Sequence, residues 1–345
     1  MSIATVEETQ RVKSEKKSAI KNFKVDPVID AILPQFDNMI RSYTVFNAFF
    51  LSLGILEFLF LVIFFTFLAQ SAVLATSLAL VFLTFFSYFI LKLYLQAKQP
   101  EQYQEIKERY IKACKSLINY HEGTPEHYVA LADSCTRFAE RLQNKENTVY
   151  TLPEYLNFLL PYLQKFSSWC HSDDVLNMQE MLLQTAIEEN IKLVKCAPTT
   201  LSAHASLANA YMALACLYKG QASNNGEYIM TENPTAKAFQ AKYQSAAQKA
   251  ISELNIVLEI SDREPWAHLQ LADIYRELKM TKDEIREYES YLKINPDDDD
   301  ALCRLGKLYF QLSMNGPALK IYEQLKQKND RRADELIKFY GASSV

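Results

Sequence analysis

The sequence predicts an all-α protein in two parts: a transmembrane hairpin of two helices, then a solenoid of antiparallel helix pairs. Three observations predict it. The 47 residues from Val45 to Leu91 hold one charged residue, Glu57. The polar remainder repeats itself at an offset of 34 residues. Glycine is scarce, 7 in 345 residues, which disfavours turn-dense β folds and Gly-rich nucleotide loops.

Residues 1–44 form a polar, weakly basic segment, expected to be largely flexible. Within it, Val25–Phe36 (VDPVIDAILPQF) is patterned as a short amphipathic piece able to lie against a membrane. The hairpin occupies residues 45–95. A bilayer-crossing helix needs about 20 apolar residues, and Val45–Ala69 and Ala72–Leu95 each reach that length. The join, Ala69–Ala72, is short enough for a tight turn only. Basic residues flank the block on both outer sides: Arg11, Lys13, Lys16, Lys17, Lys21, Lys24 and Arg41 before it, Lys92, Lys98, Lys107, Arg109, Lys112 and Lys115 after it. The turn carries none. Basic flanks stay on the cytoplasmic side, so the chain reads as a two-span membrane protein with both termini cytoplasmic. Six cysteines without paired spacing agree with a reducing compartment.

Glu57 falls near the middle of the first span, where a charge is costly. In a hairpin folded near Gln70 the residue at matching depth is Thr84. The pair reads as an interhelical hydrogen bond that holds the hairpin, or an oligomer of hairpins, together. A proton or ion site in an oligomeric transport component is the alternative use of Glu57.

The polar part spans residues 99–340. Pro265–Pro296 laid over Asp299–Asp330 puts Ala267 on Ala301, Leu271 on Leu305, Ala272 on Gly306, Tyr275 on Tyr309 and Tyr288 on Tyr322. This resembles the tetratricopeptide repeat, a 34-residue unit of two antiparallel helices with small residues at their contacts and aromatic pegs between units. Ala318 stands where the family has a small residue early in the second helix. Glu284 stands there one repeat earlier, a departure that implies looser packing. Upstream, Ala203–Tyr211 (AHASLANAY) matches Ala267–Tyr275, and Lys249–Ile260 matches Asp283–Ile294, with an insertion between them that lengthens both helices. The clear repeats are 201–264, 265–298 and 299–330, followed by a cap helix at 331–340. Glu126–Cys135 with Thr185–Pro198 reads as a more degenerate pair.

The resemblance implies that the first helix of each pair lines a concave groove for a protein or peptide. The residues it places there are Asn209, Met212, Trp266, Leu269, Asp273, Arg276, Lys307 and Phe310. Trp266, Met212 and Phe310 are the candidate apolar anchors of such a surface; the alternative is that they pack against the insertions or the cap. The family's Lys/Asn/Arg clamp for a C-terminal carboxylate is matched only near Asn209 and Arg304, so that ligand is not expected. Leu152–Trp169 adds a stripe of Tyr155, Phe158, Leu159, Tyr162, Leu163 and Phe166 at helical spacing. Pro161 is expected to kink or interrupt it; its expected place is over the repeats, with resting on the membrane or meeting a partner as the alternatives.

Nothing in the sequence supports catalysis. No phosphate loop, nucleophile elbow or HExxH motif is present. His204 and His268 occupy equivalent repeat positions, which reads as packing. Asn295–Asp300 (NPDDDD) lacks the Gly and distal Glu of a calcium loop and reads as the cap of the next helix. A net charge of −4 offers no field for nucleic acid. The expectation is a membrane-anchored adaptor or scaffold, not an enzyme, without cofactor or metal. Its partners are a protein or peptide and, through residues 45–95, a bilayer. The layout of polar start, two-lobed hairpin and cytosolic domain is similar to that of chlamydial inclusion membrane proteins, which implies as the alternative a secreted bacterial effector inserted in a host vacuole membrane.

Overall fold

The computed structural model describes residues 25–63, 72–150, 154–224, 234–328 and 331–340. Among them there is no strand. Residues 69–71 of the expected turn and the basic segment before Val25 lie outside the described residues, as do residues 151–153. The chain folds as two compact units, residues 1–189 and 190–345.

In the first unit, α1 (Asp26–Ile63) and α2 (Ala72–Leu117) pack on one another. Both are long and apolar enough to cross a membrane, and the apolar stretch of each is unburied. Phe49, Leu56, Phe82 and Phe85 all stand more than half exposed. Each such side chain left in water costs roughly 1.5–3 kcal/mol relative to burial. The hairpin core of a soluble protein would be buried; this one is not.

Neither helix stops at the ends of the apolar block. The amphipathic piece expected at Val25–Phe36 is helical from Asp26, but it packs on α2 and runs on unbroken through Ile40, where the sequence reading has a loose segment. The reason is a stripe at helical spacing. Ile29, Ile32, Phe36 and Ile40 are buried, and Phe36 meets Tyr103 of α2 with ring centroids 6.5 Å apart. On α2, Tyr103, Ile106, Tyr110 and Cys114 form the matching stripe. Pro34 and Pro100 sit inside these helices without ending them, since packing on both sides outweighs a lost backbone hydrogen bond.

Two more helices complete this unit. In α3 (Pro125–Arg141), Phe138 stacks 4.7 Å from Tyr110, and the Tyr110 hydroxyl donates to the Ser134 carbonyl. In α4 (Leu160–Cys196), the Gln179 amide donates to the Ala139 carbonyl. The aromatic stripe is interrupted beside Pro161, where a 3₁₀ segment gives way to α4, and α4 itself is not kinked there. Pro161 lies in the first turn of α4, after a 3₁₀ segment at Glu154–Leu159, where a missing N–H has no intrahelical partner to lose. His171 is fully buried. Its Nδ1 lies 3.4 Å from Asp174, and its Nε2 lies 3.0 Å from the Tyr150 hydroxyl and 3.5 Å from that of Thr44. Asp174 accepts from the Tyr103 hydroxyl and the Gln99 amide. Lys145–Asp37 and a hydrogen bond from Arg41 to the Val149 carbonyl fasten the loop after α3 to α1.

The second unit is a run of helix pairs: α5 (Leu201–Asn224) with α6 (Pro234–Ile260), α7 (Pro265–Glu277) with α8 (Thr281–Ile294), and α9 (Asp299–Gln311) with α10 (Asn315–Gln327). Successive pairs pack through α6 on α7 and α8 on α9. One pair cannot bury its own apolar stripe, so pairs stack. Ala208, Ala272 and Gly306 are all buried, as the repeat pattern requires. A short α11 (Arg332–Leu336) and a 3₁₀ turn close the end, with Leu336 fully buried. Leu336 rests on Gly306: a Cβ there would stand 2.7 Å from its methyl carbon.

Candidate functional site

The face that the sequence assigns to a groove is carried by the first helix of each pair: α5, α7 and α9. In α5 and α7 it is largely open. Asn209, Asp273 and Arg276 are exposed, and Met212 and Trp266 are half-buried. Arg276 pairs with Asp273 one turn back at 2.8 Å. Such an exposed pair is worth little, so both charges remain available to a ligand. The Trp266 indole N–H donates to Glu264 at 2.9 Å, which fixes the ring at the start of α7. Leu269 packs against the core of the last repeats.

In α9 the same face is covered. Phe310, an expected exposed anchor, is 2% exposed and meets Tyr340 edge-on at 5.8 Å. Lys307 lies over the Phe339 ring and 3.8 Å from Glu335. The reason is the cap: a terminal repeat has no following pair, so the residues after it bury the surface that internal repeats leave open.

Electrostatic contacts recur with the repeat. His204 of α5 bonds Glu253 of α6, and His268 of α7 bonds Glu287 of α8, each at 2.7 Å. Glu253 and Glu287 are equivalent positions. The third repeat has Leu302 and Ile321 instead, both buried. Burial acts to lower the His204 pKa. The Glu253 hydrogen bond, the Pro198 carbonyl and the Glu253 charge outweigh it and hold the pKa above the ordinary histidine value. These histidines therefore serve as intra-repeat clasps.

Glu284, expected to loosen its repeat, does not. It is 2% exposed and accepts from Nε and Nη2 of Arg304, in the next repeat, at 3.1 and 2.9 Å. Burial of the carboxylate is compensated by a charge-assisted pair of hydrogen bonds. Arg304, the near match to the family's carboxylate clamp, is thus occupied within the stack. Sequence reading missed this pair; a carboxylate at a small-residue site, with an Arg 20 positions on, was the available signal.

Asp298 caps α9, accepting from the backbone N–H of Asp300 and of Ala301 at 3.0 Å each. Burial acts to raise its pKa. Hydrogen bonds from Tyr291 and the two amides, with Arg332 nearby, bring it below the usual carboxylate value.

In the hairpin, the Thr84 hydroxyl donates to Glu57 at 2.7 Å, the partner expected from depth alone. Asn47 accepts from the Tyr88 hydroxyl at 3.2 Å, nearer the outer ends of the apolar stretches. A cleft of about 420 Å³ between α1 and α2 is lined by these polar groups and by Phe50, Gly54 and Phe58.

Among known proteins, the tetratricopeptide repeat family model matches residues 265–308. That segment, comprising α7, α8 and most of α9, is a tetratricopeptide repeat region. No characterised protein matches the chain by sequence. Solved structures with related helical architecture include a thermophilic tetratricopeptide protein of Thermus thermophilus, with 19% identity, covering 73% of this chain and 96% of that one at a TM-score of 0.32. Human IFIT1, solved as a dimer with m7Gppp-AAAA, is 16% identical over 69% of this chain and 58% of its own, at a TM-score of 0.32. YrrB, a tetratricopeptide protein described as having an unusual peptide-binding site, is 16% identical over 48% of this chain and 89% of its own, at a TM-score of 0.25.

Proposed function

We propose that this chain is a membrane-anchored adaptor: α1 and α2 hold it in a bilayer through residues 45–95, and its tetratricopeptide unit recruits a protein or peptide on the cytoplasmic side. The observation that carries the reading is the first-helix face of α5 and α7. There Asn209, Met212, Trp266, Asp273 and Arg276 stand open on a scaffold of packed helix pairs. An aromatic ring fixed at its edge beside a re-pairable Asp–Arg couple suits a short polar segment with one apolar side chain. Basic residues on both outer flanks of the hairpin, and none in the sequence between its helices, support two spans with cytoplasmic termini.

The Glu57–Thr84 bond supports Glu57 as interhelical glue rather than as a conduction site. A proton path needs a succession of ionisable groups, and Glu57 is the sole ionisable residue between Val45 and Leu91 other than Tyr88.

The test is crosslinking and affinity capture from intact membranes. Wild type is compared with a Trp266→Ala, Asp273→Ala, Arg276→Ala variant whose helix content and melting match it. The reading requires a small set of proteins captured by wild type and lost with the variant. An unchanged set means that the α5–α7 face is not the recruiting surface. Alkaline extraction of the membranes tests the anchor separately: release of the wild-type chain would remove it.

A further inference from the structure

The aromatic stripe at the start of α4 is exposed. Trp169, Tyr162 and Phe158 are 81%, 74% and 69% exposed, the highest values among the described large apolar side chains outside residues 45–95. Tyr162, Phe166 and Trp169 recur at intervals of four and three residues on one face of α4, and Phe158 precedes them in the 3₁₀ segment.

Three contacts set where this face lies. Glu189 of α4 meets Tyr120, just past the end of α2. Fifteen residues earlier, Asp174 meets Tyr103 and Gln99 of α2. His171 then meets Thr44, the residue before the apolar run begins at Val45. Along α4, decreasing residue number therefore moves toward the apolar spans. Trp169 and Phe166 follow within about 8 Å of the level of Thr44 at 1.5 Å per residue. Phe166 is joined to that level through the Tyr150 ring, 6.4 Å away, which in turn lies under Arg41. On α2, Tyr94 lies under Lys98 near this end of the apolar run, and Tyr88 under Lys92 lies about 9 Å further in at 1.5 Å per residue. Rings beside basic groups at the end of an apolar span form the aromatic belt of a membrane interface, where an apolar body and a polar edge are both satisfied.

We propose that the Phe158–Trp169 face is a lipid-contact surface, seated at the headgroup–acyl boundary of the bilayer that the hairpin spans. This rests on the reading that residues 45–95 cross that bilayer. The stripe is too short to span and carries Gln164 and Lys165 on its flank, as an interfacial helix does. The buried His171–Asp174–Tyr103 cluster holds α4 at the angle that keeps the stripe at this depth.

The full chain has two tryptophans, Trp169 and Trp266. A Trp266→Phe chain in phosphatidylcholine vesicles therefore reports on Trp169 alone. Trp169 should lose most of its emission to lipids brominated near the headgroup, lose less to lipids brominated near the chain ends, and be shielded from aqueous iodide. A control chain with Phe58→Trp, Trp169→Phe and Trp266→Phe reports on the span and should respond chiefly to the deep bromines. If the span probe is quenched by lipid while Trp169 is quenched by iodide, the stripe faces water: the proposal fails and the anchor stands. If Trp169 answers to neither quencher, a protein surface covers it, and the proposal fails again. If the span probe is reached by iodide and not by lipid, the anchor and the proposal fall together.

Discussion

Replacing Arg304 by alanine isolates the Glu284 carboxylate in the contact between repeats. In the wild type both bonds from Arg304 fall on one Glu284 oxygen, and the Glu284 side chain is 3% exposed against 34% for Arg304. Deleting one partner of a buried pair costs roughly 3–5 kcal/mol, because the remaining charge has neither water nor a counter-ion. The partial exposure of Arg304 lets some water reach the site, which places the expected loss near the lower end, about 3 kcal/mol. For a cooperative unit of this size that is a fall in Tm of about 6–12 °C. The informative comparison is Glu284→Ala with Arg304→Ala together. That double variant places the family's small residue at position 284 and removes both charges, so it should recover most of the loss, since an ion pair taken out whole is close to neutral. Far-UV circular dichroism melts of the full chain in detergent micelles, at equal protein concentration, read the effect. If Arg304→Ala melts within error of wild type, or if the double variant is no better than the single, then Glu284 is not held by Arg304 and the account of this departure from the repeat pattern is wrong.

Three further outcomes follow from the same geometry. Ala272 is fully buried at the α7 helix contact, so Ala272→Glu should cost on the order of 4 kcal/mol or more and unfold the second unit at ordinary temperature; a melt matching wild type would remove the repeat packing described above. Asp298→Ala should cost about 1 kcal/mol as a lost N-cap. The folded-state pKa of Asp298 is depressed, so its contribution is present above the unfolded value of about 3.9 and is lost as pH falls through the lower folded value; wild type should lose more stability on acidification than the variant, as read by melts at successive pH values. His204 has a raised folded-state pKa, so the sign reverses: its contribution is complete below the unfolded value of about 6.5 and declines as pH rises through the folded one. His204→Gln should flatten that part of the pH–stability curve, and a proton NMR titration placing the His204 midpoint below the ordinary value would contradict the assignment.

The apolar block and the 34-residue recurrence were legible in the sequence because both are local, periodic signals. A run of hydrocarbon of that length suffices for two bilayer-crossing helices, and the small residues at 208, 272 and 306 mark where helices touch. Depth matching along two antiparallel helices sufficed to pair Glu57 with Thr84. The sequence also determined the N-cap at Asp298, a local hydrogen-bond pattern. Only the tertiary structure decided the rest. Whether Ile29, Ile32 and Phe36 belong to a tail or a helix depended on a partner stripe on α2, far along the chain. Whether Glu284 loosens its repeat depended on a guanidinium from the next one. Phe310 repeats the pattern of an exposed position, and only the cap that follows it makes it core. The aromatic stripe of α4 has the spacing of a buried face. Its exposure is a tertiary outcome, and the approach of His171 to Thr44, a contact across 127 positions, is one that no periodicity encodes.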